Sequence, residues 1–234
     1  MIRSVESPTK RAVIAALATS VFVLISGSAM GAPSRSVVGN TIVSNSGPQV
    51  RITVPKSAIY LGTDHWTLYG IADCQLFVFV EADSANRVQR LYWVQFEAYV
   101  PSVPKFAYQY TSPLRAQLGG KDFIVDYWIG TSLKAPMPDY PHLEKMLASY
   151  GYPPPADLRT GSDSQHSYAL LAARGYVLPT PRASIRLVHL VDARKRREVM
   201  IIFSERIPSG RQISQRLNES LLSDAIRHLK VAFL

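Results

Sequence analysis

The stretch from Cys74 to Val100, CQLFVFVEADSANRVQRLYWVQFEAYV, limits the possible folds of this 234-residue chain more than any other. From Gln75 to Glu81 both alternating faces are apolar, with Leu76, Val78 and Val80 on one and Phe77 and Phe79 on the other. A short run of β-branched and aromatic residues of this kind reads as a strand covered on both sides. Ala82 to Gln89 then carries Asp, Ser and Asn, whose side chains compete for local backbone hydrogen bonds and favour a turn. The return run places Tyr92, Val94, Phe96, Ala98 and Val100 on one face and Leu91, Trp93, Gln95, Glu97 and Tyr99 on the other. The first set reads as core. The second joins rings to polar tips, the pattern of a wet groove, of a partner-facing surface, or of a sheet face covered by a helix or loop.

The start of the chain bears on where the protein works. Arg3, Lys10 and Arg11 outweigh Glu6, an uncharged apolar run begins at Ala12, and Ala29-Met30-Gly31 offers small residues at both cleavage subsites. Those three parts in that order make a secretory signal peptide over residues 1–31. Export to a periplasm or secretion is expected, with cleavage near Gly31. An N-terminal membrane anchor is the alternative, because the charge-free stretch reaches the roughly 20 residues a span requires. Removing Arg3, Lys10, Arg11 and Glu6 from the 26 basic and 17 acidic residues lowers the formal charge from +9 to +7. The single cysteine, Cys74, has no intramolecular partner for a disulfide and, beside a buried strand, is expected to pack as a small hydrophobe. Export makes nucleic acid an unsuitable partner for the basic charge.

Residues 32–47 are small and polar and read as a flexible tether, leaving 48–234 as one domain. Strands are expected at Gln49 to Val54, in Ile59 to Ala72 (bent or broken at Gly62), at Phe106 to Tyr110 and at Asp122 to Trp128. Ser184 to Val191 and Glu198 to Arg206 form a second hairpin around DARKRR, similar in outline to the first. Between 139 and 179 lies an internal repeat offset by 24 residues, D-x-x-H-x-x-x-x-L-A-x-x-G-Y-x-x-P, beginning at Asp139 and at Asp163. Asp suits a helix N-cap, Gly a left-handed stop and Pro a barrier to resumption, so two short helices are expected near Tyr140–Tyr150 and Ser164–Arg174. Ser209 to Gln212 has capping-box spacing, and Leu217, Leu221, Leu222, Ala225, Ile226, Leu229 and Phe233 follow at helical intervals. The expected fold is therefore α+β: an antiparallel sheet built from hairpins, an inserted helical pair, and a long C-terminal amphipathic helix packed on the sheet.

No G-x-S-x-G, H-E-x-x-H, Walker loop or cysteine pair is present, which removes support for the common hydrolase, zinc and nucleotide chemistries. No cofactor or metal is expected. His142 and His166 occupy matching positions of the two repeats and could converge on a metal only with a third donor; capping the helix ends is the simpler role. Asp64 and His65 are adjacent and so point to opposite sides of a strand. Glu97 and Asp126 are candidate acid and base for glycan hydrolysis, which needs two carboxylates about 5–9.5 Å apart; ion pairing with an arginine such as Arg90 or Arg115 is the alternative. Trp93, Gln95, Glu97, Tyr99, Asp126 and Trp128 form the candidate ligand-binding set, provided their two faces meet. Arg194, Lys195, Arg196 and Arg197 make a cationic hairpin tip suited to an anionic contact, such as a lipid headgroup, a glycan or an acidic partner. The leading expectation is an exported, non-catalytic module binding a small molecule, a glycan or an envelope protein. An envelope glycan hydrolase and a structural assembly subunit are the alternatives.

Overall fold

Two antiparallel sheets form once the alternating runs pair. The structure, a computed structural model, describes residues 34–130, 140–152, 163–208 and 216–234. The first sheet orders β1 (Arg35–Val38), β2 (Thr41–Asn45), β3 (Gln49–Thr53) and β11 (Lys230–Phe233) as β1-β2-β3-β11. The second contains β4 (Ile59–Leu68), β5 (Ala72–Ala82), β6 (Val88–Tyr99), β7 (Arg115–Leu118), β8 (Lys121–Gly130), β9 (Arg182–Leu190) and β10 (Arg197–Arg206), in the order β4-β5-β6-β10-β9-β8-β7. Within it, two three-stranded meanders, β4-β5-β6 and β8-β9-β10, join through their last strands, with Val94 opposite Ile201 at the seam. Both hairpins expected from the sequence are present, side by side.

Each face of the seven-stranded sheet is covered. On one, Phe77, Phe79, Tyr92, Val94, Phe96 and Phe203 pack with Ile42, Val50 and Ile52 of the smaller sheet. On the other, Leu76, Val78, Trp93, Trp128 and Met200 pack under Leu171 of α2 (Asp163–Ala173). A third cluster joins Val103 and Phe106 to Leu147 of α1 (Tyr140–Ser149). This double cover is why β6 is buried continuously from Leu91 to Glu97.

The helical repeat resolves into a capping motif. In α1 the Tyr152 and Gly151 amides donate to the Leu147 and Ala148 carbonyls at 3.0 and 2.9 Å; in α2 Tyr176 and Gly175 donate to Leu171 and Ala172 at 3.0 Å each. This is the Schellman pair of bonds, and both glycines hold the positive φ it requires, 80° and 71°. So L-A-x-x-G-Y encodes a helix stop, while the two helices dock on different clusters.

Three expectations are corrected. The fold is two β-sheets with three short helices among the described residues, not a sheet carrying a long C-terminal helix. The last helix, α3, spans only Arg216–His228, and Lys230–Phe233 becomes β11, pairing Lys230 with Thr53 and Phe233 with Val50. A four-residue apolar alternation at the end of a helical pattern fits either period, and the open edge of β3 supplies ladder partners that a helix could not use. The capping sequence at Ser209 to Gln212 lies outside the described residues. Second, residues 35–45 are a hairpin, not a tether: Gly39-Asn40 is a two-residue turn, Ile42 is fully buried, and the Asn40 side-chain Nδ2 donates to the Pro55 and Ala58 carbonyls at 2.6 and 2.7 Å. Third, Phe106 to Tyr110 is not a strand. It lies against the sheet through its rings, with the Tyr108 amide donating to the Lys195 carbonyl at 2.8 Å.

Candidate functional site

The mixed faces of β6 and β8 do meet, on the α2 side of the sheet, where Trp93 and Trp128 share one apolar cluster. They meet as interior. Trp93 and Gln95 are 1 % and 0 % exposed, Glu97 and Trp128 are 8 % exposed, and Tyr99 is half-buried. Polar tips are satisfied along the strand: Trp93 Nε1 donates to Gln95 Oε1 at 2.8 Å, Gln95 Nε2 to Glu97 Oε1 at 2.6 Å, and the Tyr108 hydroxyl to Glu97 Oε2 at 3.2 Å. Directly opposite Glu97 in the ladder stands Glu198, 1 % exposed, whose two carboxylate oxygens accept from the Tyr110 hydroxyl at 2.7 and 2.8 Å.

Burial pushes the hydroxyls of Tyr99, Tyr108 and Tyr110 upward, and the charges of Glu97 and Glu198 push the same way. All three therefore stay protonated donors at neutral pH. Asp126 binds Arg186, with Arg186 Nη2 at 2.6 Å from Oδ2. Arg90 serves Glu81 and Glu205 at 2.9 and 2.7 Å. Between β6 and β8 lie β10 and β9, so Glu97 and Asp126 are three strand spacings apart, about 14 Å across the sheet. Asp126 is also in the row of Trp93, four residues along from Glu97. The two carboxylates cannot flank one glycosidic bond.

An accessible cleft of about 460 Å³ opens beside this buried network, at the end of the sheet where the β7–β8 turn faces the β9–β10 turn. Tyr108 and Tyr110 form one wall, held by Glu97 and Glu198, and Ile124, Val188 and Leu190 make an aliphatic floor. Arg115, Lys121 and Lys195 are exposed on its rim. The one carboxylate there, Asp122, accepts a hydrogen bond from Gln117. His189 Nδ1 lies 3.0 Å from the Asp122 main-chain carbonyl, an acceptor, so Nδ1 carries the proton and Nε2 is an acceptor in the neutral ring.

The cationic run divides its labour. Arg196 donates to four carbonyls, Val103, Phe106, Tyr99 and Val100, at 2.6 to 3.3 Å, clamping the loop that leads to the tyrosine wall. Arg197 pairs with Asp192 at 3.2 Å, while Arg194 and Lys195 are exposed. Asp64 pairs with His166 rather than with its neighbour: Nδ1 is 2.8 Å from Oδ2, and the ring stacks on Trp66 at 3.7 Å and 10°. The other Asp64 oxygen accepts the His65 amide at 2.8 Å. The His142 side chain is outside the described residues. Among those described, no group of three or more His, Cys, Asp or Glu is placed to hold a metal ion, and no helix is long and apolar enough to cross a membrane. Cys74 is fully buried.

No family model, curated protein or solved structure matches this chain. Sequence reasoning missed Tyr108, Tyr110, Glu198, Arg115 and Lys121 as a group. Only Glu198, an acid leading an apolar strand, carried a local signal; the others converge through pairing that no local pattern reports.

Proposed function

We propose that this protein is an exported binding module for an anionic ligand with a flat apolar face, such as a sulfated or carboxylated sugar. The observation that carries the reading is the cleft rimmed by Arg115, Lys121 and Lys195 over a tyrosine and aliphatic lining. A concave cleft of this size that sets polar and charged groups beside aliphatic and tyrosine side chains suits a small ligand, and tyrosine holds its contact area with little side-chain entropy to lose. Export is supported by the charge, apolar run and small residues of the first 31 positions. Calorimetric titration with a heparin-derived sulfated disaccharide tests it. Lys121→Glu is expected to weaken binding about tenfold, the effect of roughly 1.4 kcal/mol. Equal affinity in wild type and variant sinks the reading.

A second reading rests on Asp64 and His166. An aspartate that fixes the Nδ1 proton leaves Nε2 as a base, the orienting half of an acid–base pair. Envelope hydrolysis at this pair requires His166→Gln to abolish turnover of a glycan substrate while the fold persists; turnover that survives the change removes it.

A further inference from the structure

The β9–β10 turn separates two cavities. Besides the tyrosine-walled cleft, a second of about 470 Å³ lies on its other side, lined by Tyr99, Arg194, Arg196, Arg197 and Asp192. Arg194 lines one and Lys195 the other, so the cavities adjoin across a single peptide unit, whose Cα atoms stand 3.8 Å apart. Of the six cations that line them, Arg196 is held by four carbonyls and Arg197 by Asp192, which leaves Arg115, Lys121 and Lys195 exposed at the first cavity and Arg194 at the second. Lys195 adopts φ +53°, a region that glycine or asparagine enters more readily than lysine. A lysine in that conformation at a turn tip points to a use for its ammonium, since the fold alone is served better by glycine.

Resting on the cleft reading above, we infer that the ligand is a linear polyanion, a glycan with regularly spaced sulfate or carboxylate groups, which crosses the β9–β10 turn and places anions in both cavities. One charged group fills one cavity. A chain of them engages both at once, and the second contact forms at high effective concentration. Each neutralised group also releases counterions, which makes affinity fall with salt. Exposed cations at two cavities on either side of a turn favour a flexible chain, which can follow the bend, over a flat membrane, which meets the tip alone.

Titration with heparin-derived oligosaccharides of two lengths decides it. The octasaccharide is expected to bind at least 100-fold more tightly than the disaccharide. Arg194→Glu should weaken the octasaccharide about tenfold and leave the disaccharide unchanged, whereas Lys121→Glu weakens both. Lys195→Gly, which suits the turn, should keep the thermal midpoint and, like Lys121→Glu, weaken both oligosaccharides. A length advantage under threefold, or an octasaccharide indifferent to Arg194→Glu, overturns the polyanion while leaving the single cleft intact. A disaccharide indifferent to Lys121→Glu overturns the cleft itself. Binding to phosphatidylglycerol vesicles without any length dependence assigns the turn to a lipid surface and also overturns the proposal.

Discussion

Trp93 donates to Gln95 and Gln95 to Glu97, so three side chains on one face of β6 form a chain of donors ending on a carboxylate. Read singly, a tryptophan, a glutamine and a glutamate on a strand suggest a wet surface; bonded to one another, they tolerate burial, since each polar tip finds its partner two residues along. Trp93→Ala is therefore expected to lower unfolding free energy by about 3–5 kcal/mol, measured by urea denaturation, and a loss under 1 kcal/mol contradicts its placement. Glu198→Ala strands the Tyr110 hydroxyl and should lower stability by roughly 1–3 kcal/mol in the same measurement. Glu81 contributes to the acid limb. Burial works against its charge, but hydrogen bonds from Ser57 and Arg90 outweigh that and hold its carboxyl below the ordinary glutamate range. A depressed folded value stabilises above the unfolded value, near 4.3, and that contribution is lost as pH falls through the folded one. Glu81→Gln should flatten the loss of stability as pH falls below about 5; parallel wild-type and variant curves contradict it.

Elements announced by local chemistry were legible, and those made by partners were not. The two hairpins of the central sheet carry alternation and turn residues in one segment each, and the helical repeat carries its stop in G-Y. Strand β11 is four residues whose state is decided by β3, 177 or more positions away, and the tyrosine wall follows Glu97, Glu198 and the Arg196 clamp. No local window holds both halves of either arrangement. The same dependence makes Gly119 critical: it has φ +58°, and a Cβ there would meet the Val231 carbonyl oxygen at 2.6 Å, whereas Gly120 faces open space. Both variants strain the turn, but Gly119→Ala alone also pushes β11 away. Its thermal midpoint should fall several degrees below that of Gly120→Ala, roughly the effect of 1–2 kcal/mol; equal midpoints would show that β11 does not approach the β7–β8 turn.

Across the whole molecule, the seven-stranded sheet separates a core shared with the smaller sheet from one roofed by α2, and the cleft opens where the turns of its far strands converge. Rigid strands carry the aliphatic floor, while the cations sit at strand starts (Arg115, Lys121) and on a turn (Lys195), where long side chains stay hydrated until a ligand arrives. Buried glutamates beneath the tyrosine wall leave positive charge facing outward, so the accessible side of this end is basic. The most direct measurement is amide chemical-shift mapping of the isotopically labelled protein during titration with the sulfated disaccharide. Shifts concentrated at Lys121, Ile124, Leu190 and Lys195 are the expected result. Shifts centred instead on Trp66 and His166, or spread evenly over the basic surface, would contradict a ligand site in this cleft.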